Sequence, residues 1–388
     1  MHYTEKLNAK FWQKNGEKPI IVRSPGRINL IGEHTDYNEG FVLPAAISKA
    51  IYVVANKRMD NEIHLHAAEY NEDCIVNLDN LRASKVGWSA YVLGVAEQLQ
   101  KRNYPIQGFN LLVDGDVPVG AGMASSAAVE CATVFALNEL FQLNISKREM
   151  MRIAQKAEHE FVGVQCGIMD MFTSMFGKKD HVIRLDCRSM EYEYIPFNIE
   201  GIKIVLLDTN VKHALVSSEY NTRRLQCEKG VALIQEHHPH IKSLRDVNME
   251  MLDKYVAHDL LIYKRCKYVV EETARLLAAC NDLQQNDITA FGKKMFKTHE
   301  GLSKQYEVSC AELDLLVDLV KDSPDVPGAR MMGGGFGGCT INLVKETAVE
   351  ELIFTIRDQY REKTGKSLNA YIAAVEEGTM LMEEYAKV

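Results

Sequence analysis

The chain has 388 residues, 46% of them hydrophobic and 25% charged, with a formal net charge of −8. Such a length exceeds one small core and indicates two domains. The acidic balance argues against a nucleic-acid backbone as the main partner, and no apolar run approaches the roughly 18 residues of a membrane-spanning helix. The opening residues, MHYTEKLNAKFWQKNG, have neither the apolar core nor the cleavage pattern of a signal peptide. Nine cysteines without a C-x-x-C pair read as reduced, mostly buried thiols, which favours the cytoplasm over a disulfide framework or zinc site.

Taken in order, Pro19-Ile20-Ile21-Val22 reads as a strand, and the run PGRINLIGEHTDY from Pro25 to Tyr37 follows it as a short loop region. That loop carries Arg27, Glu33, His34 and Asp36. Two carboxylates, an imidazole and a guanidinium so close together are costly to fold, and a hydroxyl-rich small ligand would repay the cost. A carboxylate accepts from two hydroxyls at once, whereas His can donate or accept. A solvated turn, with Asn29 and Gly32 supplying backbone freedom, is the competing reading of this segment alone.

Strands are expected at residues 20–23, 51–56, 62–66 and 74–78, and a helix at 87–102, with Tyr91, Val95 and Leu99 on one stripe and Trp88 near its start. A strand at 109–113 leads through Asp114-Gly115-Asp116 into a glycine loop, followed by helices at 125–141 and 147–162. Strands return at 182–185 and 202–208. From Ser217 to Pro327 the chain reads as mainly helical, and the turn 333–338 then feeds a strand at 339–344. A helix–strand–helix pattern closes the chain. Segregated strands and helices, without regular alternation, indicate an α+β fold. With no repeat and no low-complexity linker, the domain boundary is soft, between Asp186 and Ser217, giving domains of 1–200 and 201–388.

The glycine loop, Gly120-Ala121-Gly122-Met123-Ala124-Ser125-Ser126, joins a strand to a strongly helical segment. Glycines allow close backbone approach, and a helix start with free N–H groups binds phosphate. Ser125 and Ser126 suit either a helix cap or a ligand of phosphate-bound Mg2+. On the helix 147–162, Glu158 falls within the apolar stripe of Met150, Ile153, Ala154, Ala157 and Phe161. A buried carboxylate there needs a cation, either Mg2+ or an Arg or Lys from elsewhere. Asp170, among the apolar residues of CGIMDMF, suits a helix cap or a group that orients or deprotonates a substrate hydroxyl, with Arg27 as a partner that would keep it ionised. No P-loop is present, because Gly365-Lys366-Ser367 lacks the required upstream glycine. Residues 333–338 contain G-x-G-x-x-G but precede a strand, so no dinucleotide fingerprint is implied. His237, His238 and His240 read as a solvated helix end, not a metal site.

Together, the segments PGRINLIGEHTDYNEG, VPVGAGMASSAA, CGIMD and GARMMGGGFGGC, with SSEYNTRRLQC as a fifth, resemble the galactokinases of the GHMP small-molecule kinase superfamily over most of the chain. The resemblance implies an N-terminal domain related to ribosomal protein S5 domain 2 and a ferredoxin-like C-terminal domain, with the site between them. It implies a kinase that uses ATP and Mg2+ to phosphorylate the anomeric hydroxyl of galactose, with no nucleic-acid or membrane partner and a monomer as the expected state. By position, Glu33, His34, Thr35, Asp36, Gly167, Asp170 and Tyr220 would contact the sugar. Residues 120–126 would hold the ATP phosphates, Trp88 would lie near the adenine, and Ser126 with Glu158 would ligate Mg2+. Asp170 would be the acid-base residue and Arg27 its transition-state partner. Three positions depart from the family pattern: Ala124 replaces a usual serine, Met171 a common Gln, and Met332 a common Thr, which bears on nucleotide affinity. The same resemblance admits a kinase of N-acetylgalactosamine or arabinose, and a non-catalytic galactose and ATP sensor. A mevalonate- or homoserine-type kinase would share the glycine loop but leave the first segment unexplained.

Overall fold

The computed structural model describes residue 11 and residues 19–84, 86–197, 199–211 and 216–382. The segment read against a signal peptide, Phe11 apart, lies outside these residues, as do the side chains of Ser217 and Ser218. The first half begins with β1 (Ile20–Asn29), β2 (Phe41–Val42), β3 (Pro44–Lys57), β4 (Glu62–Ala67) and β5 (Glu72–Asn77). It continues with α1 (Ser89–Lys101), β6 (Phe109–Gly115), α2 (Ser125–Phe141), α3 (Lys147–Ala157), α4 (Met169–Phe176), β7 (His181–Asp186) and β8 (Tyr192–Pro196).

β1 is longer than the sequence suggests. Rather than ending before Pro25, it runs through Pro25-Gly26-Arg27 to Asn29, with its register against β3 shifting between Pro25 and Arg27. A bulge of this kind admits a proline and a glycine into a strand and re-aims the side chain that follows. Arg27 therefore projects from a sheet, not from a loop. β3 is buried along most of both faces, as a central strand should be, whereas β4 and β5 alternate buried and exposed residues toward the open edge. One face of the sheet packs on α1 to α4 through Val53, Leu65, Val92, Leu93, Leu137, Ile153 and Phe172; the other covers Ile21, Val54 and Leu112 with Phe11.

The second half contains β9 (Ile202–Asp208), α5 (Val216–Gln235), α6 (Met249–Tyr255), α7 (Leu260–Gln284), α8 (Ile288–Lys304) and α9 (Ala311–Val320). β10 (Gly328–Met331), β11 (Cys339–Lys345), α10 (Val349–Thr364), β12 (Asn369–Ala373) and β13 (Met380–Leu381) complete it. A four-stranded antiparallel sheet runs β10-β11-β9-β12. Helices separate its first two strands in sequence and one helix separates its last two, which is ferredoxin-like topology with an enlarged first crossover. The larger sheet runs β13-β1-β3-β6-β4-β5, and β2, β7 and β8 form a third. Where the sequence suggested a closing helix, the described residues hold β13, which pairs Val22 with Leu381 and Arg23 with Met380. The chain end thus returns to the first sheet, and among the described residues that six-stranded sheet alone crosses a boundary at 200/201.

A shared core joins the halves. Ile28, Leu30, Val117 and Met123 from the first pack with Leu276, Phe291, Met332 and Ile341 from the second. Among the described residues no helix is long and apolar enough to cross a membrane.

Candidate active site

A cleft of about 510 Å3 opens between the halves, lined from β1 and its following loop, the glycine loop, the start of α4, α5 and the turn 333–334. Arg27 reaches it from the bulged strand. Its Nε donates to Asp170 Oδ1 at 2.7 Å and its Nη2 to Oδ2 at 2.9 Å, a two-pronged pair, while Nη1 donates to the Gly122 carbonyl. The Arg27 amide donates to Met123 O at 3.0 Å, so strand and glycine loop are tied together at this residue. Burial alone would lower the Arg27 pKa, but Asp170 and then Glu33 outweigh it and hold the guanidinium charged. Asp170 is the second residue of α4 and makes no cap; its carboxylate is spent on Arg27.

Glu33 is buried, and its Oε1 accepts from Arg330 Nη2 at 3.0 Å and from the Gly333 amide at 2.7 Å. Burial opposes its charge, but Arg330, Arg27 and the Gly333 N–H prevail and set its pKa below the usual range. His34 has a left-handed backbone, φ 62°, which turns its ring into the cleft. Its Nδ1 meets Tyr37 Oη at 2.8 Å and its Nε2 the Gly334 carbonyl at 3.2 Å. Burial takes its pKa down to about 4, so the ring is neutral near pH 7. Asp36 faces Gly167 so closely that a Cβ there would lie 1.6 Å from its Oδ2. Burial and then the Asp170 charge raise Asp36 to about 7. Tyr220 from α5 lies against His34 and Tyr37, with ring centroids 5.3 and 5.2 Å away.

Thr35 departs from its expected place. It is fully buried, and its one hydroxyl hydrogen is shared between the carbonyls of Gly32 and Phe41, so it shapes the loop and does not line the cleft.

Across the cleft, Gly120 and Gly122 take left-handed angles of 78° and 77°, and Ala124 takes 56°. Ala121 and Met123 turn their side chains into the shared core, which leaves backbone toward the cleft. Ala124 caps α2 without a side-chain bond, and Ser125 and Ser126 are its first two helical residues. Of the two readings of these serines the helix cap therefore fails: the cap position is held by left-handed Ala124, which leaves the first amides without a side-chain acceptor. Ser126 Oγ donates to Glu158 Oε1 at 3.2 Å. Glu158 opens a wide π-type turn, Glu158–Val162, where the sequence suggested a continuous helix. Such widened turns re-aim side chains, and this one ends at Gly163, φ 92°. Burial and then the Asp170 charge raise Glu158 to about 7.

Trp88 stands at the cap of α1 and donates Nε1 to Glu72 at 3.0 Å. With Tyr70, Tyr91, Val119, Ser125 and Ser126 it lines a smaller, mostly apolar recess of about 120 Å3. Tyr91 and Ser126 also line the main cleft, so the recess adjoins the start of α2.

Three residues at the site escaped the sequence reading. Arg330 is fully buried and donates to the carbonyls of Asn29, Leu30 and Met331 besides Glu33. It lies in the quoted segment GARMM, but nothing local reveals a partner some 300 positions away in sequence. Glu272 on α7 accepts from the Gly32 amide at 2.8 Å and thereby fixes the start of the Glu33–Asp36 loop from the other half. Glu130, one turn beyond Ser126 on α2, is fully buried, and as an ionised group neither of its oxygens has a hydrogen-bond partner. Burial, then the charge of Glu158, raises it well above the carboxylate range, so it holds a proton that it can donate to Glu158. An acidic residue inside an apolar helix stripe is the sequence signal that would have found it.

The same segments match known family models: the galactokinase galactose-binding signature at residues 9–57, the GHMP kinases N terminal domain at 90–178 and the GHMP kinases C terminal at 277–362. Galactokinase of Thermotoga maritima is 42% identical over 347 residues, covering 89% of this chain and 95% of that protein. Galactokinase of a Roseiflexus species is 38% identical, covering 97% and 96%. The crystal structure of Lactococcus lactis galactokinase complexed with galactose superposes with a TM-score of 0.94 at 33% identity, covering 98% of this chain and all of that one. Methanococcus jannaschii mevalonate kinase, at 18% identity and a TM-score of 0.64, shares the fold alone.

Proposed function

The chain belongs to the galactokinase family of ATP-dependent GHMP kinases, and from that premise we propose how its own residues phosphorylate galactose at the anomeric hydroxyl. The observation that carries the reading is the two-pronged Arg27–Asp170 pair, which shares one cleft with Glu33 and Asp36 on one side and the start of α2 on the other. Glu33 and Asp36 accept hydrogens from sugar hydroxyls, His34 and Tyr220 complete that wall, and Gly167 leaves room for the Asp36 carboxylate. Backbone amides of residues 120–126 receive the ATP phosphates, and the recess beside Trp88 takes the adenine.

The donor set fits a divalent cation. Ser126 and Glu158 are in contact, and the raised pKa values of Glu158 and Glu130 mark a place that lacks positive charge. Among the described residues no cluster of three or more His, Cys, Asp or Glu is arranged to hold a metal by itself, so Mg2+ here would take its remaining ligands from nucleotide phosphates and water. When bound, Mg2+ supplies charge neutralisation on the phosphates.

Asp170 accepts the proton of the sugar O1 as that oxygen attacks the γ-phosphorus and the bond to ADP breaks. Arg27 aligns Asp170 and offsets charge on the transferring group, so the protein contributes mainly positioning and electrostatics. All nine cysteines are unpaired, which supports a cytoplasmic location. A coupled ADP-release assay over monosaccharides, with and without Mg2+, tests the reading. Release that requires both galactose and Mg2+ is expected, and release indifferent to galactose would refute it.

A further inference from the structure

Behind His34 lies a chain of hydrogen bonds that phosphoryl transfer does not use. Tyr37 Oη is 2.8 Å from His34 Nδ1, Tyr306 Oη is 2.7 Å from Tyr37 Oη, and Cys227 Sγ is 3.2 Å from Tyr306 Oη. Tyr306 is fully buried, and it follows α8 in the second half of the chain. Its carbonyl accepts from Arg223 Nε at 2.8 Å, and its ring stacks at a tilt on His34, 5.0 Å between centroids, and on Tyr268, 4.8 Å.

The direction of every proton in this chain follows from its far end. Gly334 O can only accept, so His34 Nε2 carries the hydrogen and Nδ1 is a bare acceptor. Tyr37 must then donate to Nδ1, which leaves its oxygen to accept from Tyr306. Tyr306 in turn accepts from the Cys227 thiol. We propose that Tyr306 is a positioning residue for the sugar site: acting through Tyr37, it locks His34 as an Nε2–H donor aimed into the cleft. The ionised carboxylate of Glu33 only accepts, so His34 supplies the complementary donor, and a hydroxyl oxygen can displace the 3.2 Å contact to Gly334, the longer of the ring's two. This rests on the reading of His34 as a sugar contact.

The test is Tyr306→Phe, which removes one hydroxyl and keeps the ring. Galactose KM should rise about five- to tenfold, while kcat and ATP KM stay within twofold. In the sugar-free protein the Tyr37 oxygen, no longer filled by the Tyr306 hydrogen, becomes free to accept from Nδ1–H, so 15N spectra of the imidazoles should show the His34 signal change from one tautomer to a mixture in which only the 3.2 Å Gly334 contact still favours Nε2–H. Tyr37→Phe, which removes the donor to Nδ1 directly, should give the same split and serves if Tyr306→Phe fails to fold. Equal losses toward both substrates, or an unchanged tautomer, would overturn the proposal. Wild-type turnover indifferent to galactose would instead refute the sugar-site reading, and the sugar-free spectra still decide the relay.

Discussion

Replacing Gly167 by alanine isolates sugar recognition from folding. The added Cβ would fall 1.6 Å from Asp36 Oδ2 and 2.3 Å from its Cγ, whereas real Cβ contacts are not found below 3.0 Å. The carboxylate oxygen must therefore retreat by about 1.4 Å, the difference between those limits. It is the end of a flexible side chain, and a second cavity of about 310 Å3 adjoins both residues, so rotation relieves the clash at small cost to stability. The hydrogen bonds that Asp36 offers to the sugar do not survive such a shift. A hydrogen bond to a carboxyl that is only part-ionised near pH 7 is worth on the order of 1–2 kcal/mol, which is about a five- to thirtyfold loss. Steady-state kinetics with galactose and ATP varied separately should show galactose KM raised by that factor, with ATP KM within twofold of wild type. A folded Gly167→Ala protein with an ordinary galactose KM would refute the role given to Asp36.

Two further expectations concern stability. The Glu158 carboxyl titrates at about 7 in the folded chain, against an ordinary value of 4.5, so the folded state holds a proton that the unfolded chain releases. Its contribution is complete below about pH 4 and is lost as pH rises to about 7, a swing on the order of 3 kcal/mol. Urea midpoints of ligand-free wild type and Glu158→Gln, compared across that range, should diverge in this sense, and parallel curves would contradict it. Ala124 holds a left-handed angle that costs an L-residue on the order of 1 kcal/mol, so Ala124→Gly should raise the urea midpoint. A lowered midpoint would show that the alanine methyl contributes more than its strain.

Much of this was legible because the signals are local. The helix Ser125–Phe141 begins and ends where its pattern places it, and the strand Ile202–Asp208 likewise. Arg27, Glu33, His34, Asp36, Ser126, Glu158 and Asp170 announced themselves as charged or polar groups in apolar or glycine-rich surroundings, and one cleft gathers them. What stayed hidden depends on distant partners. Pro25-Gly26 reads as a turn, and only pairing with β3 makes it a bulge. Helical spacing cannot distinguish the π-type turn at Glu158 from a regular helix end. Arg330, Glu272 and Tyr306 act on a loop some 240 to 300 positions earlier, and no periodicity encodes such contacts.

The account turns on the Asp170 carboxylate that Arg27 holds in the cleft. Turnover and equilibrium galactose binding, measured side by side on Asp170→Ala, test it most directly. Loss of ADP formation with galactose still bound is the expected result. An unimpaired kcat would remove Asp170 from the chemistry and contradict the account.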